Sequence, residues 1–162
     1  PDRPPLPGQK APGLAMFHGL VRQMREYVAL TEAEALVTIS QYFHNAVLYK
    51  KDPALGYRFL DPLRRGQMTA QMRDLLAPLG FYASTWAFAE DRVEMLPPGK
   101  DEKEPANWVG FPWTPSELVL PLTEPVRVAL NRLLPEVKEG EACRFRVRAT
   151  PHPDIEGSFH LG

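Results

Sequence analysis

The sequence predicts an α+β domain in which two long helices and a shorter third, all from the N-terminal half, pack on a small and mainly antiparallel sheet from the C-terminal half. Apolar residues in the first half recur with a period of about 3.6 residues, which is typical of helices laid on a core. In the second half the apolar runs are short, rich in aromatic residues and separated by Pro and Gly, which is typical of strands joined by turns.

The length of the chain bounds its domain organisation. A chain of 162 residues suits one domain. Residues 1–13 hold five Pro and two Gly, and they are predicted to form an extended Pro-rich arm that serves as a linker or as a ligand for a polyproline-binding groove. The single α+β domain is expected to span residues 14–162.

The composition limits the classes of partner and compartment. A net charge of −1 and a pI near 6.5 give no general electrostatic attraction to nucleic acid or to a membrane surface. The sequence lacks a run of about eighteen apolar residues, so no membrane span is expected. The single cysteine, Cys143, excludes an intrachain disulfide and fits a reducing compartment such as the cytoplasm. An excess of Arg over Lys, with many Pro and few Ile, indicates a GC-rich genome.

The first helix is predicted over Leu14–Ala29, because its apolar residues lie on one face. Arg22 and Arg25 gather at one edge of the polar face. This basic strip is interpreted as solvated surface, with contact to a phosphate or an acidic partner as the alternative. The apolar face, which is expected to lie on the core, consists of Leu14, Phe17, Leu20, Val21, Met24, Tyr27 and Val28.

The second helix is predicted over Thr31–Lys50. Thr31 and Glu34 have the spacing of a capping box, in which a hydroxyl and a carboxylate satisfy free backbone N–H groups at the start of a helix. This helix is apolar on two sides, so we expect it to be covered by a second layer of its own chain or by another copy. The second of its two apolar strips consists of Val37, His44 and Leu48.

The third helix is predicted over Gln67–Ala77, where Pro78 and Gly80 end it. The aromatic run that follows, Phe81–Ala89, is predicted to be a strand that pairs in a hairpin with Arg92–Leu96.

Residues 69–93 also allow a degenerate helix-turn-helix, with its turn at Pro78–Gly80 and its second helix beginning at Ser84. The bulky Trp86 and the β-forming aromatic residues favour the strand over this alternative.

Three further elements follow in the second half. Glu117–Leu120 is predicted to be a short strand, and Pro125 is expected to open a fourth helix that reaches Leu134, because Pro is favoured at the first helical position. Arg144–Thr150 is the clearest strand, and the stretch PHPDIEG after it is predicted to be a turn that precedes Ser158–Leu161.

The arginine strand is the most specific feature of the sequence. Arg144, Arg146 and Arg148 alternate with apolar residues, so their guanidinium groups should stand on one face of a strand. Neighbouring positive charges on one face of a strand repel each other, so negatively charged groups are expected to lie opposite them. Phosphates or an acidic partner are one source of that charge, and an internal ladder of ion pairs is the favoured one. The internal carboxylates expected to face the strand are Glu117, Glu136, Glu139 and Glu141.

The tryptophans offer two interpretations. Trp86, Trp108 and Trp113, with neighbouring aromatic residues, could stack on bases beside the arginine strand. They could equally be core residues or anchors of a protein interface.

Signatures of catalysis and of metal binding are absent from the sequence. It contains no Gly-rich phosphate loop, nucleophile elbow, H-E-x-x-H or C-x-x-C motif. His152, Asp154 and His160 have ligand chemistry, but a metal site needs further convergent ligands, so neither a metal nor a cofactor is expected. The sequence therefore favours a protein that is not an enzyme.

The function that the sequence favours is that of a non-catalytic protein-interaction or assembly module, whose partner is another protein or a second copy of the chain. The alternative is an accessory domain that binds DNA or RNA through the arginine strand at 144–148 and the neighbouring aromatics, or through the helix-turn-helix at 69–93. The candidate binding residues are Arg144, Arg146, Arg148, Trp86, Trp108, Trp113, Arg22 and Arg25.

Overall fold

The computed structural model describes residues 5–8, 17–28, 30–51 and 56–149. These residues fall into two compact units. The first unit takes the described residues up to Leu60 together with Pro115–Leu133, and the second takes Asp61–Thr114 together with the described residues from Leu134 to Ala149. The chain therefore returns to the first unit for one strand and one helix before it completes the second.

Both units combine helices with a three-stranded antiparallel sheet. A π-helical turn at Met72–Leu76 joins α3 to α4, and a short 3-10 helix covers Pro105–Asn107. The α-helices are α1 Phe17–Val28, α2 Phe43–Lys51, α3 Pro62–Gln71, α4 Ala77–Ala89, α5 Glu124–Asn131 and α6 Leu134–Glu141. The strands are β1 Ala35–Ser40, β2 Arg58–Phe59, β3 Val93–Leu96, β4 Val109–Gly110, β5 Ser116–Pro121 and β6 Arg144–Val147.

The sheet of the first unit has the strand order β1-β5-β2, so β5 is central and β1 lies at an edge. Phe59, Leu118 and Leu120 share one face of this sheet and are buried in the core. At the end of β1 the hydroxyl of Ser40 donates to the carbonyl oxygen of Ser116 at 3.0 Å. The pairing with β5 and this hydrogen bond therefore hold β1 in the first unit.

The predicted helix over residues 31–50 is wrong in its first half. Residues 35–40 form β1, and α2 begins only at Phe43. The run Val37-Thr38-Ile39 is β-branched and gains cross-strand partners on β5, which outweighs its helical periodicity. Thr31 does not open a helix either, because its hydroxyl donates to the carbonyl oxygen of Val28, at the end of α1, at 2.7 Å.

In the second unit α3 and α6 cross so closely that only glycine fits. A Cβ atom on Gly66 would overlap the carbonyl oxygen of Val137 and would lie 2.8 Å from Gly140 Cα. A Cβ atom on Gly140 would meet the carbonyl oxygen of Leu63 in the same way. The carboxylate of Asp61 caps the start of α3, where it accepts from the N–H of Leu63 at 2.8 Å.

The predicted strand over Phe81–Ala89 is also wrong, since these residues belong to α4. Ser84 donates its hydroxyl to the carbonyl oxygen of Gly80, and Thr85 donates to that of Phe81, each at 2.8 Å, which is the helical i−4 pattern. Gly80 is not helical, with φ 81 and ψ 173, and it kinks α4 at the predicted turn. The third helix begins earlier than expected, at Pro62.

The sheet of the second unit has the order β4-β3-β6. The expected hairpin of residues 92–96 with 81–89 is therefore wrong, because β3 pairs with β4 and β6 instead. The suggested second helix of a helix-turn-helix, Ser84–Val93, ends at Ala89, and Val93 already belongs to β3.

The α+β class is confirmed, whereas the expected division into a helical first half and a sheet-forming second half is not, since β1 and β2 come from the first half. Strands at 117–120 and 144–147 and the helix opened by Pro125 are confirmed. No helix among the described residues is long and apolar enough to cross a membrane. Most of the Pro-rich arm, the turn expected before Ser158 and the His152, Asp154 and His160 group lie outside the described residues.

Candidate functional site

The arginine strand faces carboxylates of its own unit. Arg146 on β6 lies directly opposite Glu94 on β3, and its Nε donates to Glu94 Oε2 at 2.7 Å. Arg148 Nη1 lies 3.5 Å from the other oxygen of Glu94. Glu94 is buried, so one buried carboxylate faces two guanidinium groups.

The third arginine pairs with a different set of carboxylates. Arg144 lies 3.5 Å from Asp74 and 3.6 Å from Glu102. Burial alone would raise the pKa of Asp74, but the hydrogen bond from Arg73, the hydrogen bond from the Phe145 N–H at 3.0 Å and the charges of both arginines hold it below its usual value. Asp74 therefore remains ionised at neutral pH.

Sequence reasoning missed the carboxylates that pair with the arginine strand. They are Asp74, Glu94 and Glu102, and none belongs to the expected set of Glu117, Glu136, Glu139 and Glu141. The sequence did carry one signal, because Glu94 stands in the otherwise apolar strand Val93–Leu96, and a carboxylate in such a strand needs a cationic partner.

Two of the three candidate tryptophans pack against arginines inside the second unit. The guanidinium of Arg146 lies 4.0 Å from the ring centroid of Trp108, whose indole N–H donates to the carbonyl oxygen of Glu102 at 3.0 Å. Trp113 lies 5.7 Å from Arg64 and contacts Phe88 edge-on. Both indoles are buried, so they are packing groups with little face left for a base.

Trp86 lies in α4 and is partly exposed. In the described part of the chain no three residues among His, Cys, Asp and Glu are grouped to hold a metal ion. Cys143 is buried, and burial raises the pKa of its thiol, so the reactive thiolate is disfavoured.

Three apolar side chains of helix α1 are exposed to solvent. Leu20, Met24 and Tyr27, spaced as successive turns of one helical face, are 56%, 42% and 72% exposed. The expectation that this face lies on the core is therefore wrong for these three side chains. The opposite side of α1, with Arg22 and Arg25, lines an open cleft of about 660 Å³ in the first unit.

The outer edge of β1 is open in the described part of the chain. Val37 and Ile39 are 56% and 51% exposed, and His44, expected to share a strip with Val37, is buried in α2. The N–H of Leu122 donates to the carbonyl oxygen of Glu34, so these two residues form a hydrogen-bonded pair of the β1–β5 ladder. Hydrogen-bonded and non-hydrogen-bonded pairs alternate along an antiparallel ladder. By that alternation the N–H and C=O groups of Val37 and Ile39 point away from β5, towards the open edge.

Comparison of this chain with protein-family models, with curated proteins and with solved structures found no match.

Proposed function

We propose that this protein is a non-catalytic protein-interaction module that assembles with a second copy of itself through the open edge of β1. The observation that carries the proposal is a six-residue edge strand, Ala35–Ser40, without a charge, a Pro or a Gly. Such an edge pairs readily with another strand, and proteins that remain monomeric usually block it with charges, Pro or a bulge.

The sequence of β1 suits antiparallel pairing with itself about a two-fold axis at Thr38. Val37 of one copy then lies opposite Ile39 of the other, and by symmetry Ile39 of the first copy lies opposite Val37 of the second. Both residues carry the outward-pointing N–H and C=O groups, so the two pairs supply four backbone hydrogen bonds. Their exposed β-branched side chains meet on one face, which is a favourable cross-strand contact.

The apolar stripe of α1 supports an assembly function independently. Leu20, Met24 and Tyr27 expose apolar surface on a single helical face, which is the pattern of a helix that docks on another protein. The arginine strand gives less support to nucleic-acid binding, since each of its three guanidinium groups is already paired with a carboxylate.

The test is the mass of the protein by light scattering over a range of concentrations. The wild type should approach the dimer mass, and Val37→Lys combined with Ile39→Lys should remain a monomer, because like charges would lie opposite each other. Glu117→Lys is the matched control, since Glu117 is exposed and lies opposite Ile39, but on the central strand β5. This control should dimerise as the wild type does.

The register is tested by mixing two single variants. Val37→Lys and Ile39→Glu should form a heterodimer, because the two-fold axis at Thr38 places the new charges opposite each other. A wild type that stays monomeric at every concentration overturns the proposal, and so does a double lysine variant that still dimerises.

A further inference from the structure

The cleft in the first unit gathers three arginines from two helices. Arg22 and Arg25 enter it from α1, and Arg127 enters it from the first turns of α5. The cleft measures about 660 Å³, and Glu26 is its one acidic lining residue. The lining carries three guanidinium groups and one carboxylate, and Glu124 contacts Arg127 from outside the lining. These five side chains together therefore have one positive charge in excess.

The carboxylates beside Arg22 and Arg127 are exchangeable. Arg22 lies 3.9 Å from Glu26 on its own helix, and both side chains are more than two-thirds exposed. Arg127 contacts Glu124, also on its own helix and also exposed. Exposed pairs of this kind contribute little to stability, so a ligand with a higher charge density can replace them.

The threonine at the start of α5 adds a neutral group to the same cleft. Thr123 precedes α5 as its N-terminal cap, yet its hydroxyl makes no capping hydrogen bond. Its oxygen is buried and lacks a hydrogen-bond partner among the described residues, although Thr123 lines the cleft. Because this oxygen is enclosed, the Thr123 side chain would have to rotate towards the cleft before its hydroxyl could donate to a ligand oxygen.

We propose that this cleft binds a phosphate monoester or diphosphate, held by Arg22, Arg25 and Arg127 with Thr123 as an additional donor. The planar fork of arginine matches two oxygens of a phosphate, and three forks favour a group with at least two negative charges. The positive end of α5 acts in the same sense. The cleft lining does not include the exposed edge residues Val37 and Ile39, so the phosphate proposal can be tested separately from self-assembly.

The experiment is isothermal titration calorimetry at low ionic strength, with inorganic pyrophosphate and a capped phosphoserine peptide as probes. Arg25→Gln and Arg127→Gln should each weaken binding about tenfold or more, because each removes charge-assisted hydrogen bonds. Added NaCl should weaken binding to the wild type. Binding of pyrophosphate alone points to a free phosphorylated molecule, and tighter binding of the peptide points to a phosphorylated side chain.

Arg132→Gln is the matched control, because Arg132 is exposed at the C-terminal end of α5 and does not line the cleft. It should bind both probes as the wild type does. The proposal is overturned if neither probe binds, or if the control loses as much affinity as the cleft variants, since net charge would then explain the effect. Two cleft variants on different helices ensure that poor folding of one does not decide the result.

Discussion

His44 places its imidazole in the buried part of α2. Its ring stacks on Tyr42 with centroids 5.3 Å apart, and its Nδ1 lacks a hydrogen-bond partner among the described residues. Burial lowers its pKa from 6.5 to about 4. The folded state therefore keeps the imidazole neutral at pH values where the unfolded chain would protonate it.

This pKa predicts that the protein loses stability as the pH falls from about 6.5 to about 4. In that window the unfolded state binds more protons than the folded state, so acid favours unfolding, and the loss is complete below the folded-state value. The full effect is at most about 3 kcal/mol. Urea unfolding of the wild type and of His44→Phe at several pH values checks it. An equal dependence on pH in both proteins would contradict the assignment.

Glu94 and the arginine strand illustrate what residue types alone reveal. The alternation of Arg144, Arg146 and Arg148 predicts guanidinium groups on one face, and the need for facing negative charge follows from electrostatics. Which carboxylates supply it depends on the pairing of β6 with β3, two strands that are far apart in sequence. The identity of these partners could therefore not be predicted from spacing.

At the scale of elements, the crossing of α3 and α6 depends on two glycines. Gly66 and Gly140 bring the two backbones so close that a methyl group on either would overlap a carbonyl oxygen of the opposite helix. Backbone atoms cannot turn aside as a flexible side chain can, so the helices would have to separate.

We therefore expect Gly66→Ala and Gly140→Ala each to destabilise the protein by about 1–3 kcal/mol or more, despite the higher helix propensity of alanine. Gly19→Ala is the control, since Gly19 lies in α1 and a Cβ atom there meets nothing within 4 Å. That change should be neutral or stabilising by up to about 1 kcal/mol. Denaturant midpoints of the three variants provide the measurement, and wild-type stability in Gly66→Ala would contradict the close crossing.

At the scale of the whole molecule, the proposed self-assembly through β1 would link the stability of the fold to protein concentration. If only folded chains associate, dimer formation stabilises the folded state by mass action. The melting temperature of the wild type should therefore rise with concentration, whereas that of the Val37→Lys and Ile39→Lys double variant should stay constant. Calorimetric scans at several concentrations check this, and a wild-type melting temperature independent of concentration would argue against a folded-state dimer.

The sequence by itself determined the α+β class and those elements whose signals are local. Pro125 marks the start of α5, the alternation around Arg146 marks β6, and the apolar period over residues 17–28 marks α1. Each signal depends on backbone geometry or on side chains a few residues apart, which a single segment carries on its own.

Only the tertiary structure decided which segments of ambiguous period became strands and which way each apolar face points. Ala35–Ser40 fits a helix by spacing, but its β-branched residues became a strand because β5, much later in the chain, pairs with it. Apolar spacing in α1 predicts a stripe but not the direction in which it faces. The exposure of Leu20, Met24 and Tyr27, and the arginine cleft on the other side of the helix, are therefore seen only in the tertiary structure. The physical reason is that periodicity shows only that one face of a segment is more apolar than the other. Which face is buried depends on contacts with segments that are distant in sequence.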